Sequence, residues 1–518
     1  MKLKDLETSP KKNLYLIGLS VLVGLTAGLL ASLYRLVLEK AEAFGRFAYA
    51  QVLHAPMLAL ILIPSLLLIA GVITFMMKKY PMSSGSGIPQ VKGQLQGTFK
   101  ANWFTTAFAK FVAGSLAMLG GLSLGREGPS VQLGASMGQM VGGKLAQTER
   151  HRRILMASGA SAGLSAAFNA PLSGVMFTLE EVFKYFSPLL LLTCMTSAIV
   201  SDAVSQLFFG RGSVFHFVVK GEIALQDYWL LIILGLILGA FGALYNTTLL
   251  AGQKWMNKIS NVYWRVVLSF AATAIMAMVF PLVIGSGHSL INQLTFGWGL
   301  GFLLLVLLGK FFISMISYVS GIPGGIFFPL LVLGAVIGAI FATLAINGLN
   351  LPESWYANFV ILAMAGTFTA IVRAPMTGIL LLVEMTGSFS YLLPLALVSL
   401  VAYVVADLFN SEPIYDSLLA NMLADKSNHT EETLEGQLVI ETIVQFDSKA
   451  GNKRIAQLVM PHDCLIVAIH RVGKDIIPNG QTELLAGDYL TLMIGQNNEG
   501  ETRRQVQSLF SEKELTEE

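Results

Sequence analysis

Residues 125–138 read GREGPSVQLGASMG, and residues 325–338 read GIFFPLLVLGAVIG. Gly, Pro, Gly, Ala and Gly stand at the same five places in both, 200 residues apart. The register continues outward: GSG at Gly85–Gly87 returns at Gly285–Gly287, and Lys110-Phe111 returns at Lys310-Phe311. With four more residues of offset, APLSG at 170–174 and Glu181 or its neighbour map near APMTG at 374–378 and Glu384. A chain with 50 glycines will match itself somewhere by chance, but here Lys, Pro and Ala keep register too. The chain therefore reads as two homologous halves.

Long apolar stretches, the first at about 13–38 and the last at about 389–409, alternate with shorter ones near 86–98, 127–143, 171–184 and 375–386. The short pieces begin with Gly or Pro and cannot cross ~30 Å of hydrocarbon. A helix that starts inside a membrane needs its exposed amides satisfied by protein or ligand, so such starts line a cavity. Duplicated halves with broken helices at matching positions point to a transporter whose site lies between the halves.

Composition agrees. Of 518 residues, 54% are hydrophobic and 13% charged, against about 25% charged in a soluble domain, which excludes an ordinary cytosolic enzyme. Residues 421–518 hold 16 acidic and 9 basic residues, net −7, whereas the first 420 hold 16 acidic and 25 basic, net +9. A polytopic membrane domain with a small aqueous domain fits both. Lysines before the first apolar stretch, and the basic cluster at Lys144 and Arg150–Arg153, mark cytoplasmic connections, so both termini are expected in the cytoplasm. Cys194 and Cys464 imply neither a disulfide framework nor a thiolate metal site, and no cofactor is called for. The basic residues form no aromatic-interleaved stripe, so nucleic acid is not an expected partner. No HExxH or GxSxG motif supports a membrane hydrolase, and no TVGYG supports a potassium filter.

Three segments suit an anion: Gly85–Pro89 (GSGIP), Gly125–Pro129 (GREGP) and Gly325–Pro329 (GIFFP). A helix N-terminus presents unpaired N–H groups and the positive end of a dipole, so several converging starts attract an anion and repel a cation. Taken singly, each GxxxP reads equally well as a kink or a close helix contact. Glu127 is an intramembrane acid, a functional residue by default, although it also reads as the ion-pair partner of Arg126. Glu180 and Glu181 sit unfavourably at a helix C-terminus, which a solvated end would tolerate. Lys110, in apolar surroundings, either pairs with an acid or adds positive potential, and its mate Lys310 favours a shared structural role.

The strings GSGIP, GREGP and GIFFP in this order, with APLSGVMFTLEE and a late PIYDSLL, resemble the CLC family of chloride channels and chloride/proton antiporters over about residues 15–420. That resemblance implies an all-α polytopic membrane fold with an inverted repeat and about 17 or 18 broken helices. It also implies a homodimer in the cell membrane, with one anion pathway per subunit. Carried over, Ser86 and Tyr415 supply hydroxyls to a dehydrated chloride, and the amides of Ile326 and Phe327 complete the central site. The amides of Arg126 to Gly128 frame an outer position and those of Gly85 and Ser86 an inner one. Glu127 becomes the gating glutamate and Glu181 the internal proton acceptor, which favours a Cl⁻/H⁺ antiporter over a passive gated channel, and neither reading is an enzyme. Serine at 86, where proline would favour nitrate, implies a preference for chloride with bromide and nitrate tolerated.

After residues 1–420, residues 421–436 read as a linker and 437–518 as a cytoplasmic α/β domain. Strand-like runs lie at Leu438–Gln445, Leu465–Arg471 and Tyr489–Ile494, with one short helix expected over Ser448–Leu458 and a solvated SEKELTEE end. Ile476-Ile477-Pro478-Asn479-Gly480, Thr482 and Gly487-Asp488 resemble the TrkA-C (RCK C-terminal) module over about 434–498. Such modules dimerise, and some bind cyclic di-AMP, so the tail reads as a dimer support or as a regulatory ligand site.

Overall fold

The computed structural model describes residues 10–184, 186–210, 223–427, 437–446, 448–462, 464–471, 474–495 and 499–510. Two compact units divide the chain, Met1–Leu95 with Ala101–Asn421, and Gln96–Lys100 with Met422–Glu518.

Helices build the first half: α1 (Pro10–His54), α2 (Ala59–Lys79), α3 (Ile88–Gln96), α4 (Trp103–Leu119), α5 (Glu127–Leu145), α6 (Glu149–Phe168), α7 (Pro171–Phe177) and α8 (Pro188–Phe209). The second half repeats them in order: α9 (Tyr228–Asn257), α10 (Val262–Val279), α11 (His288–Gln293), α12 (Leu300–Val319), α13 (Phe327–Leu349), α14 (Tyr356–Val372), α15 (Pro375–Thr386) and α16 (Leu392–Leu408). α17 (Ile414–Ser427) follows and runs seven residues into the expected linker, whose remainder, 428–436, lies outside the described residues. Among the described residues, eight helices are long and apolar enough to cross a membrane. Exposed Leu60, Ile61, Leu68, Val279 and Leu305 give them an outer surface suited to hydrocarbon. α1 outlasts the apolar stretch that announced it because its charges pair along the helix, Arg35 with Glu39 at 3.1 Å and Arg46 with Glu42 at 3.2 Å.

Reciprocal bonds join the halves. The Gly125 N–H donates to Gly325 O at 2.6 Å, and the Gly325 N–H donates to Gly125 O at 2.8 Å, an antiparallel bridge between repeat mates. Equivalent residues bonded to each other in this way sit on a local two-fold axis. Gly85 N–H donates to Gly321 O at 2.8 Å, and its mate Gly285 donates to Gly121 O at 2.9 Å. Gly87 and Gly287 share a φ of 99°, where a side chain would be strained. The lysine pair has a common structural role: Lys110 Nζ donates to Gly85 O at 2.8 Å, and Lys310 Nζ donates to Gly285 O at 2.8 Å and Val283 O at 3.1 Å.

The two APxxG helices are capped by each other's half. Glu384 accepts from the N–H groups of Leu172 (2.9 Å) and Ser173 (2.8 Å) at the start of α7. Glu180 accepts from those of Met376 (3.1 Å) and Thr377 (2.8 Å) at the start of α15. A carboxylate on a helix start satisfies orphan donors and complements the dipole. Glu180 is therefore the repeat mate of Glu384, which leaves Glu181 outside the symmetry. Both acids lie in a π-turn, Thr178–Val182, that continues α7. Such turns frequently mark functional positions.

The second unit contains a four-stranded antiparallel sheet in the order β1 (Gln437–Ile443), β6 (Tyr489–Gly495), β3 (Cys464–Arg471), β4 (Lys474–Ile476). A two-stranded sheet pairs β2 (Lys453–Arg454) with β5 (Glu483–Leu484). Leu490, Leu492 and Ile494 alternate inward along β6 and pack with Val506 and Phe510 of α18 (Glu499–Phe510). The helix expected over Ser448–Leu458 is absent: a turn leads into β2 and a three-residue 3₁₀ turn, Ile455–Gln457, because Asn452 and Ile455 N–H groups bond to Leu484 and Thr482 across the small sheet. α18 was not expected, although Val506, Leu509 and Phe510 carry helical spacing. The SEKELTEE end lies outside the described residues.

Candidate functional site

Three broken-helix starts meet in the first unit. A methyl group on Gly128 would lie 2.5 Å from Ser86 Oγ, and one on Gly325 would lie 3.2 Å from Gly128 N, so glycine at these places lets the loops before α3, α5 and α13 approach closely. α13 begins at Phe327, and its first N–H groups have no partner within the helix. Glu127, the first residue of α5, is 1% exposed. Its carboxylate turns toward the N–H groups of Arg126, Glu127 and Phe328, yet neither oxygen closes a hydrogen bond of ordinary geometry.

Arg126 does not hold it. The guanidinium donates to Glu39 at 2.8 Å and stands 3.2 Å from His288 Nε2, while its approach to Glu127 is a loose 4.0 Å. His288 in turn stacks on Phe328, ring centroids 4.2 Å apart. These residues line a cavity of about 370 Å³ that reaches Glu127 and also touches Arg35, Glu42 and Arg46.

On the other side, Ser86 Oγ and the Tyr415 hydroxyl are both buried without a hydrogen-bond partner. Phe177 links Tyr415 to the start of α13: its ring is 6.3 Å from that of Tyr415 and 5.8 Å from that of Phe327. Ser86, Arg126, Glu127, Gly128, Ile326, Phe327 and Tyr415 thus fall in one buried region. The Gly85 N–H donates to Gly321 O, and the Ser86 N–H faces the Tyr318 hydroxyl, so both amides of the expected inner position have partners within the protein. Local sequence showed a glycine-rich helix start, whereas the partners come from the second half of the repeat.

Glu181 belongs to a separate ring of charges. Lys92 of α3 donates to Glu181 Oε1 at 3.0 Å and also pairs with Asp416, the residue after Tyr415. Lys184 pairs with Asp416 at 2.5 Å and lies 3.8 Å from Glu181. The Glu181 and Lys92 side chains are each 1% exposed, while those of Asp416 and Lys184 are 34% and 35% exposed. Sequence reasoning missed Lys92 and Asp416, whose signals were a lysine on the helix opened by GSGIP and an acid beside Tyr415. It also missed Tyr318 and His288, which carried no local signal.

Anion-directed amides, partnerless hydroxyls and a buried acid at converging helix starts define an anion-handling membrane protein. Comparison with known proteins gives the family. Residues 66–407 match the voltage gated chloride channel family, and residues 439–507 match the TrkA-C domain. The chain belongs to that chloride channel family, as the resemblance to CLC proteins implied, and is a multi-pass membrane protein. It is 35% identical over 425 residues to the H(+)/Cl(-) exchange transporter ClcA of Vibrio cholerae serotype O1, covering 79% of this chain and 90% of that protein. The ClcA exchange transporter of Cronobacter sakazakii is 32% identical over 448 residues, covering 84% and 96%. The crystal structure of a slow cyanobacterial Cl⁻/H⁺ antiporter superposes with a TM-score of 0.74 at 31% identity, covering 80% of this chain and 99% of that one. A CLC-type fluoride/proton antiporter, at 24% identity and a TM-score of 0.66, shares the fold.

Proposed function

We propose that the protein exchanges chloride for protons across the cell membrane. Chloride would bind to the hydroxyls of Ser86 and Tyr415 and the N–H groups of Ile326 and Phe327, with an outer position at the N–H groups of Arg126 to Gly128. Neutral donors suit this task, since transport needs binding tight enough to replace hydration and weak enough to release. The observation that carries the reading is Glu127: a buried carboxylate directed at backbone donors from two repeat halves occupies the place a small anion would take. Once protonated it loses its charge and leaves the donors to chloride, so one side chain links the two fluxes.

Glu181 favours exchange over the alternative, a passive gated chloride channel, because it adds a second buried acid, which a purely anionic path does not need. The exchange transporters at 32–35% identity support the same reading. Glu127→Gln is expected to leave chloride flux and abolish proton movement in reconstituted liposomes, recorded by chloride and pH electrodes together. Proton pumping driven by a chloride gradient that survives the substitution would sink the assignment.

In this reading residues 1–420 transport, 421–436 link and 437–518 regulate, with both termini in the cytoplasm and two copies forming a homodimer. The TrkA-C match supports a regulatory or dimerising tail. Cyclic di-AMP is its proposed ligand, and calorimetry on the full chain showing no binding at high micromolar concentration would remove it.

A further inference from the structure

A proton bound for Glu181 has no direct way in. Its side chain is 1% exposed, and two ammonium groups stand around it. Lys184 Nζ, at 3.8 Å, is too far for a hydrogen bond and hence for proton transfer. Lys92 Nζ is in hydrogen-bond contact at 3.0 Å, equally buried, and bridges to the Asp416 carboxylate, whose side chain is 34% exposed. The order Asp416, Lys92, Glu181 therefore runs from solvent to the interior through direct contacts, and each link comes from a different element: α17, α3 and the π-turn after α7. Lys184 sits beside this line with a left-handed backbone, φ 50°, and holds the second oxygen of Asp416 at 2.5 Å.

We propose that Asp416 and Lys92 form a proton relay that loads Glu181 from solvent. The inference rests on the exchange reading above. Hydronium protonates the Asp416 carboxylate and leaves as water. Lys92 breaks one N–H bond as that proton passes to Glu181 Oε1, and the nitrogen keeps the electron pair. The neutral amine then takes the proton from Asp416, which restores the ammonium and the carboxylate. One proton has moved inward, and the ring carries one more positive charge than before. The change sits on Glu181, whose carboxylate interacts electrostatically with Tyr415, so proton loading raises the potential beside the proposed chloride ligand.

Arginine separates a relay from a fixed charge, because a guanidinium keeps both ion pairs but does not release its proton. In liposomes with simultaneous chloride and pH recording, Lys92→Arg and Asp416→Asn are each expected to lower the protons carried per chloride at least tenfold, and Asp416→Glu to keep the ratio within twofold of the parent protein. A ratio within twofold of the parent in either Lys92→Arg or Asp416→Asn overturns the relay. A parent protein that carries chloride but no protons fails the exchange reading instead, so the two failures are distinct.

Discussion

The loops at Gly85–Gly87 and Gly285–Gly287 have the same three residues and nearly the same backbone, with φ of 62° and 99° in the first pair of glycines and 69° and 99° in the second. A buried lysine holds a carbonyl of each. They differ in what faces the serine. Ser86 Oγ has no hydrogen-bond partner, whereas Ser286 gives its N–H and its hydroxyl to Glu42, at 3.2 and 2.7 Å. A carboxylate is a tethered anion. The second loop therefore holds with a covalently attached group what the first, in the proposed function, offers to a diffusible one. Duplication copied the cradle, and one residue of α1, 244 positions away, filled one copy.

The largest test of that comparison lies in the lysines. Lys310→Met removes a buried donor from two carbonyls and is expected to cost about 3 kcal/mol or more, while Lys110→Met, with one carbonyl, costs about 2 kcal/mol. Thermal unfolding in detergent reads both, and equal losses would show that the loops are supported alike. Next comes the occupant. Glu42→Gln weakens a charged contact to Ser286 and should cost about 1.5 kcal/mol. Ser86→Ala should change stability by under about 0.5 kcal/mol and instead weaken chloride binding several-fold by calorimetry. A stability loss in Ser86→Ala comparable to that in Glu42→Gln would break the contrast. A smaller loss than that of Glu42→Gln is expected at a place where the halves agree: Glu180→Gln and Glu384→Gln each weaken a helix cap and should cost about 1 kcal/mol apiece. Unequal losses there would put asymmetry into the scaffold itself.

Much of the scaffold was legible because it is written in local signals. Gly and Pro at helix starts fix where α5, α7, α13 and α15 begin, and the 200-residue register pairs them before any coordinate is known. The end of α1 was not legible, since hydropathy stops near Leu38 while ion pairs four residues apart carry the helix to His54. The two adjacent acids were ambiguous for the same reason. Glu180 and Glu181 are both glutamates after an apolar run, and only their partners, α15 backbone for one and Lys92 for the other, distinguish a cap from a charge in a ring.

The sequence by itself determined the duplicated membrane scaffold, the broken helix starts and the acid at Glu127, because periodicity, glycine and proline act on the backbone within a few residues. Tertiary structure alone decided that Gly85 gives its N–H to Gly321, that Glu42 fills the second loop, and that Lys92 joins Glu181 to Asp416. Those choices depend on which side chains packing brings within about 3 Å of one another, and no local pattern carries that distance.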